Sequence, residues 1–123
     1  MNKKVLVVDT SKTIRKQLAY LLAKAGWDIL EADNGKTGYE TLKYNPETSV
    51  VISEIDMPMV DGVDMMQMIS DDEKMKSIPL IVLTAQGAEN QRKEIKSLYE
   101  GLEGWLSKPV NSDDLIEMIS KFA

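Results

Sequence analysis

The chain has 123 residues, 43% apolar and 28% charged. That is the length of one ordinary domain, with a composition far from disorder or low complexity. Cys and His are both absent, which excludes disulfides, thiol chemistry, zinc ribbons, histidine metal sites and a Ser-His-Asp triad. Twenty acids against fifteen bases leave a net charge of −5, which argues against nucleic acid as a partner, since that binding rests on neutralising phosphates.

Residues 1–123 are expected to form one domain. Only four apolar residues, Val5 to Val8, separate the N-terminal Met1-Asn2-Lys3-Lys4 from Asp9. A signal peptide or a membrane span needs a longer apolar stretch, so a cytoplasmic protein with no membrane partner is expected. Val5-Leu6-Val7-Val8 is short, continuous and rich in β-branched residues, as a strand buried on both faces should be. From Lys12 to Ala25 the apolar residues Ile14, Leu18, Leu21 and Leu22 fall at helical spacing. Thr10 or Ser11 is placed to cap its start and Gly26 to end it. Trp27 to Glu31 reads as a second strand. Asn34-Gly35 turns the chain into a helix carrying Tyr39 and Leu42, which breaks by Asn45-Pro46.

The pattern repeats. Val50-Val51-Ile52-Ser53 is a third strand, and a loop with Pro58 and Gly62 leads to a helix with Val63, Met66 and Ile69. Leu80 to Leu83 is a fourth strand. Ile95, Leu98, Tyr99 and Leu102 mark a fourth helix, Gly104 to Ser107 a fifth strand, and Leu115, Ile116, Ile119 and Phe122 a closing helix. Five strands alternating with five helices predict an α/β, doubly wound, all-parallel sheet flanked by helices. In such sheets the functional edge lies at the carboxyl ends of the strands.

Asp9 follows the first strand, Glu54 the third with Asp56 two further on, Thr84 the fourth and Lys108 the fifth. Acids gathered there suit a hard cation such as Mg²⁺. A Lys and a Thr beside them suit phosphoryl oxygens. Each residue alone has a bland account as a turn former, a cap or a solvated loop residue. Four on one edge are harder to dismiss.

Over essentially its whole length the chain resembles the receiver domains of two-component response regulators. The stretch Val7-Val8-Asp9, the loop Glu54-Ile55-Asp56-Met57-Pro58-Met59-Val60-Asp61-Gly62 and the pairs Thr84-Ala85 and Lys108-Pro109 carry the likeness, in order and spacing. The resemblance implies a flavodoxin-like fold with strand order 2-1-3-4-5. It places the phosphoacceptor position at Glu54 and a phosphoryl pocket at Thr84, Ala85 and Lys108. It further implies a Mg²⁺ site at Asp9, Glu54 and the backbone carbonyl of Asp56, switch residues Thr84 and Trp105, and a cis peptide before Pro109. The implied partners are a histidine kinase or a downstream signalling protein.

Two positions depart from that family, and both lie in its chemistry. Thr10 stands where the family has the second acid of the first-strand pair, and Glu54 stands where it has an Asp. One carboxylate fewer weakens a Mg²⁺ site. The longer Glu54 carries its carboxylate toward the place of the phosphoryl group, within reach of Lys108 or Thr84. It brings one negative charge where a phosphate brings about two. The reading is a degenerate receiver that acts through protein–protein contacts, with no enzymatic turnover expected. The alternative is a working phospho-receiver, using Mg²⁺ and a histidine kinase, that has adapted to Glu54; Asp56 is a further, weaker candidate acceptor.

Other motifs carry less. Ser11 stands where a haloacid-dehalogenase phosphatase needs its second Asp, and Gly35-Lys36-Thr37 lacks the preceding Gly of a P-loop, because Leu30 occupies that position. The dense methionines Met57, Met59, Met65, Met66 and Met68 are read mainly as core and cover, Met66 and Met65 being the core candidates. The fourth helix carries Arg92, Lys93 and Lys96 and the last carries Asp113, Asp114 and Glu117, which solvated faces explain adequately. The resemblance implies that dimers and partners dock on this face with the fifth strand, and the opposite charges would permit a homodimer through the fourth helix, fifth strand and fifth helix.

Overall fold

The computed structural model describes residues 3–55, 62–84, 99 and 101–123. Five strands, β1 (Lys4–Val8), β2 (Asp28–Ala32), β3 (Val50–Glu54), β4 (Leu80–Thr84) and β5 (Leu102–Ser107), pair in parallel in the order β2-β1-β3-β4-β5. Four helices lie among the described residues: α1 (Lys12–Lys24), α2 (Gly35–Tyr44), α3 (Gly62–Ser70) and the closing α4 (Ser112–Ser120). None of these is long and apolar enough to cross a membrane.

The central strands are apolar on both faces because each face is covered. Successive strand residues point to opposite sides. Val5, Val7, Val50, Ile52, Ile81 and Leu83 join Leu18 and Leu22 of α1 and Leu115 and Ile119 of α4 in one core. Leu6, Val8, Val51, Leu80 and Val82 join Leu42 of α2 and Met65, Met66 and Ile69 of α3 in the other. All of these are at most 2% exposed. Met75 completes the second core. Met65 and Met66 are therefore core residues and Met68 is half-buried; Met57 and Met59 lie outside the described residues.

Local chemistry marks the boundaries. Ser11 caps α1 by accepting from the Ile14 N–H at 3.2 Å, Asn34 caps α2 from the Thr37 N–H, and Asn111 caps α4 from Asp113 and Asp114. Gly26, at φ +92°, takes the left-handed turn after α1 that a side chain would disfavour. Gly104 lets α4 press close, since a Cβ there would meet the Met118 sulfur at 2.6 Å.

Several expectations shift. Glu54 and Thr84 are the last residues of their strands rather than the residues after them, because the ladder pairs Glu54 with Leu83 and Thr84 with Ser107. β2 starts one residue later than predicted, and Trp27 is buried just ahead of it. The sequence predicts five helices, against four among the described residues. Of the predicted fourth helix, Ile95 and Leu98 lie outside the described residues, Tyr99 belongs to no regular element and Leu102 opens β5. Leu102 pairs with Leu80 across the ladder, and that long-range pairing overrides an apolar spacing that also fits a helix. The peptide between Lys108 and Pro109 is cis.

Candidate functional site

The alternation that builds the two cores also gathers the site. Asp9 continues the series Val5, Val7; Glu54 continues Val50, Ile52; Lys108 continues Leu106. All three series face the α1 and α4 side of the sheet. The register pairs Val8 with Ser53, so Asp9 and Glu54 stand side by side one step further on. Thr84 continues Leu80 and Val82, which face the opposite side.

Asp9 is fully buried and Glu54 is 8% exposed, yet every oxygen of the two carboxylates has a partner. Asp9 Oδ1 accepts from the Ser11 N–H at 2.8 Å. Asp9 Oδ2 meets Lys108 Nζ at 2.8 Å as an ion pair rather than a directed hydrogen bond. Glu54 Oε2 accepts from the same ammonium at 2.7 Å. Glu54 Oε1 accepts twice from Thr10, from its N–H and its hydroxyl, both at 2.6 Å. These donors lie at the N-terminal end of α1, whose dipole favours negative charge. The Arg15 guanidinium holds the Asp9 carbonyl at 2.7 Å, and the Lys108 N–H donates to the Thr84 carbonyl at 2.8 Å. Asp9 and Lys108 are thus fixed through their backbones as well.

The titration of these groups follows the geometry. Burial pushes the Glu54 carboxyl up, but the hydrogen bonds from Lys108 and Thr10 outweigh it and hold the group below its ordinary value. Burial pulls the Lys108 ammonium down, and Asp9 and Glu54 together raise it above its ordinary value. Glu54 and Lys108 therefore carry opposite charges at neutral pH.

Of the residues singled out in the sequence, the fold brings together Asp9, Glu54 and Lys108. Thr84 is buried at the end of β4, but Glu54 is taken up by Thr10 and Lys108 and not by the Thr84 hydroxyl. Trp105 is half-buried against the α2 and α3 core. It also lines a cleft of about 430 Å³ with Pro109, Asn111, Asp114, Met118 and Lys121. Asp56 and Ala85 lie outside the described residues, as do Arg92, Lys93 and Lys96. Asp113, Asp114 and Glu117 are exposed on α4.

Sequence reasoning missed the part played by Thr10, which it counted as a lost acid or a helix cap, and the two contacts that hold Asp9, from the Ser11 N–H and from Arg15. The β1–β3 register would have exposed the first, because it sets position 10 just beyond the Asp9–Glu54 pairing.

The described carboxylates suit Lys108 as their counter-ion and do not fit a divalent cation beside it. Mg²⁺ bonds oxygen at about 2.0–2.1 Å and demands near-octahedral geometry. An ion reaching both Asp9 Oδ2 and Glu54 Oε2 would need the space that the ammonium fills. No group of three acids able to hold a metal occurs among the described residues.

A doubly wound parallel sheet carries its site at the carboxyl ends of the strands, where these two acids and the lysine gather. The chain matches the response regulator receiver domain over residues 5–120 and belongs to that family. It is 33% identical to chemotaxis protein CheY1 of Helicobacter pylori over 117 residues, covering 94% of this chain and 93% of that protein. It is 31% identical to chemotaxis protein CheY-3 of Vibrio cholerae over 121 residues, covering 98% and 91%. Among solved structures, Vibrio cholerae CheY4 superposes with a TM-score of 0.89 at 27% identity, covering all of both chains. The receiver domain of the Pseudomonas aeruginosa sensor kinase PA1611, which has a magnesium ion coordinated in its active-site cleft, shares the fold with a TM-score of 0.87 at 17% identity, covering 99% of this chain and 98% of that one. The chain is a CheY-like two-component signalling domain.

Proposed function

We propose that this receiver is degenerate: it keeps the fold and its recognition face, and phosphoryl transfer to position 54 is lost or slow. One observation carries the reading. The Glu54 carboxylate is lodged between Thr10 and Lys108 with both oxygens engaged. An acceptor oxygen must be free to attack in line, and about 1 Å of misplacement costs roughly 100-fold. Here attack requires breaking charge-assisted bonds that the rest of the pocket holds in place.

Receiver domains interact with histidine kinases and with downstream proteins. In this chain the partner would be read by the surface around Thr84 and Trp105, and by the cleft that Trp105 lines beside α4, which Asp114, Glu117 and Lys121 rim. Receiver domains typically bind Mg²⁺. This one is expected to bind it weakly, because Thr10 brings no charge and Lys108 already neutralises one of the two acids.

The test is intact mass after incubation with acetyl phosphate and Mg²⁺, run beside Glu54→Asp. The expected result is no phosphoryl gain on the parent. A gain on the Glu54→Asp variant alone would show that Glu54 by itself silences a competent pocket. A stoichiometric gain on the parent would overturn the degenerate reading, and peptide mapping would then say whether Glu54 or Asp56 carries it.

A further inference from the structure

We infer that Thr10 is a positioning residue that clamps Glu54 against Lys108, and that Lys108 is the pocket's own cation, so that the carboxylate cluster is complete without a divalent ion. The inference deepens the degenerate reading and rests on it.

The two departures from the family are physically one. Glu54 Oε1 sits 2.6 Å from both the N–H and the hydroxyl of Thr10. A carboxylate at position 10 would exchange the hydroxyl donor for an anion at that distance. Two unprotonated acids cannot share such a contact without a cation between them. The dependence runs the other way as well. Shortened by a methylene, the acid at position 54 would draw away from the Thr10 hydroxyl, and the clamp would have nothing to hold. Glu54 therefore needs a neutral donor at position 10, and Thr10 needs the length of Glu54.

Charge balance gives Lys108 its role. With Asp9 at −1, Glu54 at −1 and Lys108 at +1, the cluster is left at −1 beside the positive end of α1. A divalent ion added beside the ammonium would take that sum from −1 to +1 and would compete with the ammonium for both acids. A third carboxylate would bring the sum with the ion back to zero, so the ability to take Mg²⁺ should hang on position 10.

The experiment is a double-mutant cycle on the full chain without any phosphodonor, read by urea unfolding midpoint and by calorimetric titration with magnesium chloride. Thr10→Val removes the hydroxyl donor, Thr10→Ser restores it and Glu54→Asp withdraws the acceptor. Thr10→Val is expected to lower the midpoint in the parent, to leave it nearly unchanged in the Glu54→Asp background, and to be rescued by Thr10→Ser. The double variant Thr10→Asp/Glu54→Asp is expected to bind Mg²⁺ about tenfold or more tightly than the parent, the scale of one added charged contact. Equal loss from Thr10→Val in both backgrounds would overturn the clamp, since a merely structural threonine costs the same in each. Mg²⁺ binding by the parent as tight as by the double variant would overturn the role given to Lys108. Neither outcome involves phosphorylation, so the mass experiment judges the degenerate reading separately.

Discussion

Two ion clusters lie at the carboxyl edge of the sheet and are built in opposite senses. Around Lys108, one base is held by two acids, Asp9 and Glu54, with side chains 0% and 11% exposed. Around Glu31, one acid is held by two bases, Arg15 at 3.2 Å and Lys16 at 2.7 Å, and the lysine is 60% exposed. Arg15 ties the two clusters together through the Asp9 carbonyl. The difference between them is solvent. Water stands ready to replace either partner in the outer cluster, whereas an unpaired acid in the inner one would be stranded. Sequence alone lists both as acids near bases, and only burial sets their worth.

The largest effect is expected at Lys108. Lys108→Met leaves two acids without their cation and should cost about 3–5 kcal/mol of stability, the usual scale for one partner removed from a buried pair. A urea titration at pH 7 checks this through a fall in midpoint with unchanged slope.

The pH dependence sharpens the same contrast. Glu54 is held below its ordinary 4.5, so its stabilising share is fully present above that value and is lost as pH falls through the lowered native value. Lys108 is raised above its ordinary 10.5, so its share is present below that value and is lost only as pH rises through the native one. The gap in stability between the parent and Lys108→Met should therefore be widest near neutral pH and narrow in acid below 4.5. Unfolding midpoints taken from pH 3 to pH 7 measure that closure. A gap independent of pH would mean that Lys108 acts through packing alone.

The smallest effect is expected at the outer cluster. Glu31 is also held low, first by its hydrogen bond from Lys16, against the upward push of burial. Its pairing with an exposed lysine is nevertheless screened by solvent. Glu31→Gln should change stability by about 1 kcal/mol or less, and raising the salt concentration should shrink that difference further. The Lys108→Met difference should be much less sensitive to salt, because the inner pair excludes the ions that would screen it.

Much of this was legible before any coordinates. The apolar runs at Val5–Val8, Val50–Ile52 and Leu80–Leu83 announce strands covered on both faces, and the caps at Ser11 and Asn34 are local chemistry that any reader of the chain can find. Asp9, Glu54 and Lys108 were candidates for one edge because strand ends converge there in every doubly wound sheet. The second strand and the start of the fifth were less legible. β2 is an edge strand with weaker alternation, and Leu102 carries an apolar side chain that serves a helix or a strand equally well until Leu80 pairs with it.

The sequence by itself determined the alternating α/β order, the identities of the charged groups at the sheet edge and the two departures at Thr10 and Glu54. These depend on side-chain type and local period, which are written along the chain. Tertiary structure decided which of those groups touch. The register of β1 on β3 put Asp9 beside Glu54 and Thr10 against its far oxygen. The alternation of β4 sent Thr84 to the opposite face, and the bond from the Lys108 N–H to the Thr84 carbonyl set the ammonium between the two acids. Contacts between positions 10, 54 and 108 are long-range in the chain. No local propensity encodes them, and they exist only once the sheet has chosen its register.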